Sequence, residues 1–210
     1  MSLQLQHEAY SLDSMSQQLF FYDDFLGDQI QDEWYTSGNA VVDGVTGGIV
    51  RSTTGAVSGN STALEHASFR TWLVSKSVAM EFRESFTDIT WISHYGIIYN
   101  DWNNLIDFLF YGAGGTGGVS YLYAETWSGG VSTQLNTGTA LDANYHIWRF
   151  QASPTVSNHV HFYDNGIELA GSPITTNVPT VYLGTYFRNS TTENAAKHVD
   201  LDYVGMRQLI

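Results

Sequence analysis

The sequence predicts an all-β fold of two packed antiparallel sheets, and three observations carry that expectation. Several segments alternate apolar and polar residues with the period of a half-buried strand. The composition, with 20 Gly, 14% charged and 14% aromatic residues, suits short strands and tight turns better than helices. About a dozen such segments follow one another at short spacing with no convincing helix among them. A chain of 210 residues has room for one well-buried domain. It is expected over residues 20–210, with residues 1–19 as an N-terminal arm.

The arm, MSLQLQHEAYSLDSMSQQL, is rich in Gln and Ser and shows no strand alternation. Leu12, Met15 and Leu19 recur at three- and four-residue spacing. Both a short amphipathic helix and an extended segment that orders on a partner fit this pattern, with Leu12, Met15, Leu19 and Phe20 as anchors. FFYDDF begins the strands. AVVD and GIVRST follow around Gly47-Gly48, and Lys76 to Phe86 places Val78, Met80, Phe82 and Phe86 on one face. HYGIIYN and NLIDFLFY pair around Asp101-Trp102-Asn103, and the glycine-rich AGGTGG leads into VSYLYAETW. That glycine run is not a phosphate loop, because no Lys-Ser/Thr and no helix follows it.

The most legible stretch is YHIWRFQASPTVSNHVHFYDNGIEL, residues 145–169. Trp148, Phe150, Val160 and Phe162 share one face of two strands if Trp148 sits opposite Phe162 and Phe150 opposite Val160; Arg149, Gln151, His159 and His161 share the other. Asn165-Gly166 supplies the two positive-φ residues of a type I′ turn into Ile167 and Leu169. VYLGTYFRN and HVDLDYVGMRQLI complete the chain. The expected core comprises Trp148, Phe150, Val160, Phe162, Val78, Met80, Phe82, Leu201 and Tyr203.

This run resembles the strand, loop, strand, "Y-x-D/N-G" and strand pattern of concanavalin A-like and laminin G-like jelly rolls. FFYDDFLGDQIQDEW resembles their opening, and HVDLDYVGMRQ their closing "DYV" strand. The opening and ending are also similar to lectin-like proteins carried in phage structural gene sets. The resemblance implies a two-sheet antiparallel jelly roll but leaves function open, since this fold serves enzymes, sugar binders and structural modules alike. It also implies a structural Ca²⁺ between the first and last strands, held by Asp24 and Asp202 with Asp23 and Asp200 close by. The residues alone fit an acidic, solvated strand pair better than an ion site, and no cofactor is required.

A formal charge of −13 repels a polyanionic backbone and argues against nucleic-acid binding. The chain has no cysteine, which removes disulfides, thiolate metal sites and thiol nucleophiles. No apolar run is long enough for a transmembrane segment, and the start lacks the regions of a secretion signal. For catalysis, the E-x-D-x-x-E strand of the fold's β-glucan hydrolases is absent, as are the R-x-E-L, Q-I-H and Y-x-K-x-G-x-Y strands of its alginate lyases. Glu81 and Glu84 point to opposite faces of one strand. His159 and His161 read as solvated strand residues rather than metal ligands, and G-x-S-x-G does not occur.

Tyr121, Tyr123, Glu125 and Trp127 share a strand face, as do Tyr186 and Arg188. Aromatic faces edged by acids and arginine suit stacking on a sugar; they also suit a protein interface or a second core face. Together these readings lead to an expectation of a phage-like virion structural protein without catalysis. It would assemble in the host cytoplasm, form a homo-oligomer, attach to other virion proteins through the arm, and present a lectin-like sandwich to a cell-surface glycan. The alternative is a carbohydrate-binding module, or a polysaccharide-degrading glycosidase or lyase of the same fold.

Overall fold

The computed structural model describes residues 18–26, 30, 33–42, 48–66, 71–86, 92–101, 103–111, 121–140 and 142–209. Among them are fifteen strands and one short 3₁₀ turn, Val74–Lys76. The strands are β1 (Gln18–Asp23), β2 (Trp34–Ser37), β3 (Asn39–Val42), β4 (Val50–Thr53), β5 (Ser61–His66), β6 (Ala79–Phe86), β7 (Ile92–Asp101) and β8 (Asn104–Tyr111). They continue with β9 (Tyr121–Ser128), β10 (Val131–Ala140), β11 (His146–Ala152), β12 (Val160–Asp164), β13 (Ile167–Glu168), β14 (Gly184–Thr191) and β15 (His198–Leu209). No helix among the described residues is long and apolar enough to cross a membrane.

Two antiparallel sheets pack face to face. One runs β13-β12-β11-β6-β15-β4-β3, with β1 also on β15; the other runs β10-β9-β8-β7-β14-β5-β2. The twelve-residue β15 organises the first sheet, because one of its edges is shared by β4 over His198–Leu201 and by β1 over Val204–Leu209. The opening and closing strands therefore do lie side by side. Gly38 carries the chain from one sheet to the other, between β2 and β3, with φ of +78°. A Cβ there would lie 2.8 Å from the Ser61 carbonyl oxygen, so the corner has room only for glycine.

The core is aromatic. Trp148, Phe150 and Phe162 from one sheet meet Phe108 and Phe110 from the other, with ring centroids 5.1 Å apart for Phe110–Trp148 and 5.3 Å for Phe108–Phe162. All nine residues expected in the core are buried. Tyr203 is buried on the opposite face, however: a bulge between Leu201 and Tyr203 shifts the register, and the phenol donates to Glu81 Oε1 at 3.0 Å outside the sandwich.

The meander keeps its expected faces but pairs two residues out of the expected register. Trp148 lies opposite Asp164, Phe150 opposite Phe162 and Ala152 opposite Val160. The loop is the cause. Ser153 N–H donates to the His159 carbonyl, Ser153 Oγ accepts from the Val156 amide, and Asn158 takes φ of +59°. This closes the loop on His159, which lies outside β12. Asn165 and Gly166 have φ of +49° and +81°, as a type I′ turn requires. Of the arm, residues 1–17 lie outside the described residues, Leu12 and Met15 among them; Gln18 and Leu19 already belong to β1.

Candidate active site

Alternation on the second sheet sends Ile106, Phe108 and Phe110 of β8, Leu122 and Ala124 of β9, and Phe187 of β14 into the core. Their neighbours Leu105, Asp107 and Leu109, then Tyr121, Tyr123, Glu125 and Trp127, then Tyr186 and Arg188, consequently line the outer face. The six residues expected to form a glycan or interface surface thus share one face of one sheet. Register sets two of them, Glu125 and Tyr186, in one row across the strands: Gln134, Glu125, Asp107, Ile97, Tyr186, Glu65 and Tyr35. With strands about 4.8 Å apart, β9 and β14 are separated by roughly 14 Å.

Exposure along this row rises from its middle to the β2 edge. Asp107 is 0% exposed and Glu125 5%, whereas Tyr35 at the β2 edge is 66% exposed. Arg188 Nη2 reaches Ser61 Oγ at 3.5 Å.

Asp107 and Glu125 form the chemical centre of the row. They are direct cross-strand partners, so their Cβ atoms are about 4.5–5.5 Å apart. Asp107 is the only acid in NLIDFLFY, in a strand otherwise built of apolar residues and Asn104. Among the described residues its oxygens meet no hydrogen-bond donor. Burial pushes the Asp107 carboxyl well above the usual range, and the charge of Glu125 and the hydrogen bond to it push further. Burial also raises Glu125, and the Trp127 indole, the Asp107 carboxyl and Gln134 partly offset the rise. Gln134 Nε2 donates to Glu125 Oε2 at 3.2 Å. Both carboxyl groups are thus held above their ordinary range, Asp107 the further, and the pair is flanked by Trp127 and Tyr123. Glu65, four strands from Glu125, is raised by burial and lies roughly 19 Å away, too far to join the pair.

The remaining expected sites fall elsewhere. Among the described residues, no group of three or more His, Asp or Glu is gathered as a metal site. Asp202 pairs with Arg83, Asp200 holds Arg51 through two bonds of 2.7 Å, and Asp23 accepts from Trp34 Nε1 and the Phe25 amide, each at 2.7 Å. Asp24 accepts only from the Leu26 amide, at 3.4 Å, among the bonds seen. His161 faces Glu168 at 2.6 Å, and His159 sits in the loop before β12 with Nδ1 3.0 Å from the Ser157 carbonyl. A cleft of about 310 Å³ lies between the β11–β12 loop and the Val74–Lys76 turn, lined by Ser75, Ser153, Thr155 and Pro179. Among the described residues, no carboxylate lines it.

No family model and no curated protein matches the chain. Solved structures do. A β-1,3-1,4-glucanase (lichenase) derived from a mouse hindgut metagenome superposes with a TM-score of 0.67 at 12% identity, over 91% of this chain and 99% of that one. An immunostimulatory antigen and pseudo β-1,3-glucanase of Mycobacterium tuberculosis gives 0.67 at 16% identity, over 90% and 98%. The apo Crh5 transglycosylase gives 0.67 at 12% identity, over 90% and 84%. The chain has the concanavalin A-like jelly-roll fold. Two expectations are corrected by these likenesses. The structures that share the fold are named as a lichenase, a transglycosylase and a pseudo β-1,3-glucanase, which favours the glycosidase alternative over a virion structural protein and leaves a virion location without support. They likewise overturn the expectation of no catalysis. That expectation rested on a missing linear motif, which does not report carboxylates brought together from two strands.

Proposed function

We propose that this protein binds a polysaccharide of the β-glucan class on the outer face of its seven-stranded sheet and cleaves or transfers its glycosidic bonds. The observation that carries this reading is the Asp107–Glu125 pair, an enclosed acid directly opposite a carboxylate within an aromatic surface. Glycosidases that retain configuration hold their two carboxyl groups about 5–5.5 Å apart, while inverting enzymes leave about 6.5–9.5 Å for a water. Direct cross-strand partners, with Cβ atoms about 4.5–5.5 Å apart, fit the closer arrangement of a retaining pair better than the wider one of an inverting pair.

In the reaction, Trp127 and Tyr123 stack on sugar rings, and Glu125, which retains some contact with solvent, meets the substrate first. Asp107 carries the proton that goes to the leaving oxygen, and Glu125 attacks the anomeric carbon to give a glycosyl-enzyme. Water then releases the sugar in hydrolysis, or a sugar hydroxyl releases it in transfer, returning a proton to the pair. The names of the lichenase and of the pseudo β-1,3-glucanase support the substrate class.

The test is reducing-end release, or a shift in polymer length, from mixed-linkage and β-1,3 glucans. Glu125→Gln should abolish turnover while keeping polymer binding, and Trp127→Ala should weaken binding. Turnover that survives Glu125→Gln would place the chemistry elsewhere.

A further inference from the structure

The opposite face of the sandwich carries a second aromatic surface. Phe20 and Tyr22 alternate along β1 and point outward from the first sheet, 61% and 41% exposed. Their rings are nearly parallel, at 10°, with centroids 6.5 Å apart, which is the i, i+2 step of a strand. Tyr22 is held in place from beneath. It lies against Tyr203, with centroids 5.9 Å apart, and passes over Gly205, where a Cβ would sit 3.4 Å from its ring.

Acidic side chains share this face. Tyr22 is opposite Gly205, which is opposite Glu81, so Glu81 lies in the same row two strands in; burial first, and then the charges of Asp24, Asp202 and Glu81, hold the Tyr22 phenol above its ordinary range. Asp202 is tied to Arg83 and Glu81 accepts from Tyr203, so the polar groups are fixed beside the rings.

From this arrangement we infer that the Phe20–Tyr22 face is a second, non-catalytic binding site for a neutral polysaccharide chain. Two parallel exposed rings, stepped along a strand, offer stacking platforms to neighbouring pyranose rings of one chain, and the carboxylates accept from their hydroxyls. A net charge of −13 disfavours an anionic polymer. The site lies on the far side of the sandwich from Asp107, so it would hold the protein on polymer without touching the bond being cut. This inference rests on the polysaccharide reading above.

The experiment compares wild type, Phe20→Ala and Phe20→Ala/Tyr22→Ala in sedimentation with insoluble β-1,3-glucan and in turnover of a short soluble β-glucan oligosaccharide. Phe20→Ala alone guards against a folding defect in the double variant, since Phe20 is the more exposed ring. Expected is a loss of polymer affinity of about tenfold in the double variant and a smaller loss in the single one, with oligosaccharide turnover unchanged. Undiminished polymer binding by both variants, while Trp127→Ala abolishes it, overturns the second site and leaves the proposed function standing. Wild type that neither binds nor cleaves any glucan overturns both. A changed native mass in the variants with polymer binding unmoved would assign the face to a protein contact and also overturn the inference.

Discussion

Asp107→Asn isolates the buried proton on which the proposed chemistry depends. Asp107 is fully enclosed and held protonated well above the ordinary carboxyl range, facing Glu125. An acid whose folded pKa lies above its unfolded value binds more protons when folded. Its contribution is full below the unfolded pKa, near 4, and is lost as pH rises through the folded one. Each unit of that elevation corresponds to about 1.4 kcal/mol. Asparagine has the same shape, and its amide can still donate to Glu125, but it never ionises. The variant should therefore match wild type near pH 4 and become relatively more stable as pH rises, gaining up to about 1.4 kcal/mol per unit of the elevation. Urea unfolding of both proteins at pH 4, 6 and 8 reads the difference. Equal pH dependence in the two, or an Asp107→Asn protein that loses ground as pH rises, would refute a protonated Asp107.

Three further outcomes follow from the fold. Trp148→Ala removes a side chain that is 1% exposed and packed on Phe108 and Phe110, and should cost about 3–5 kcal/mol in urea unfolding. Gly38→Ala should cost more than about 1 kcal/mol, because φ is +78° and the new Cβ would strike the Ser61 carbonyl; a neutral result would mean the corner is built differently. Burial pulls the His146 pKa down, but hydrogen bonds to Asp164 and Asp142 outweigh it, and the folded pKa is raised overall. Its stabilisation is full below the unfolded pKa and disappears as pH rises through the folded one. His146→Gln should therefore lower the urea midpoint more at pH 5.5 than at pH 9.

How much of this was legible in the sequence depended on the range of the interaction. Alternation is local, and it placed Met80 and Phe82, Trp148 and Phe150, and Val160 and Phe162 on their correct faces. The Asn165-Gly166 turn was equally readable, because positive φ at two successive residues leaves few alternatives. The meander register was missed by two residues, because it is set by the hydrogen bonds of Ser153 and the left-handed Asn158, which alternation does not report. The bulge before Tyr203 likewise leaves no local mark. At the site, Tyr121, Tyr123, Glu125 and Trp127 were found from their shared period, and Tyr186 and Arg188 from theirs, but that both groups lie on one sheet became visible only through the pairing of β9, β8, β7 and β14. Asp107 was overlooked within an apolar strand, although a lone acid in such a run was the available signal. β10 was overlooked because its Ser, Thr, Gln and Asn side chains blur the alternation, and Gln134 went with it.

The most direct test of the Asp107–Glu125 assignment is the stereochemistry of the first product. A β-glucan oligosaccharide is cleaved in an NMR tube, and the anomeric proton of the new reducing end is followed before mutarotation. Carboxyl groups on adjacent strand partners predict that the β-anomer appears first and decays to the equilibrium mixture, in wild type but not in Glu125→Gln. An α-anomer appearing first would require a water between two more distant carboxylates, and would contradict the assignment of Asp107 and Glu125 as the reacting pair.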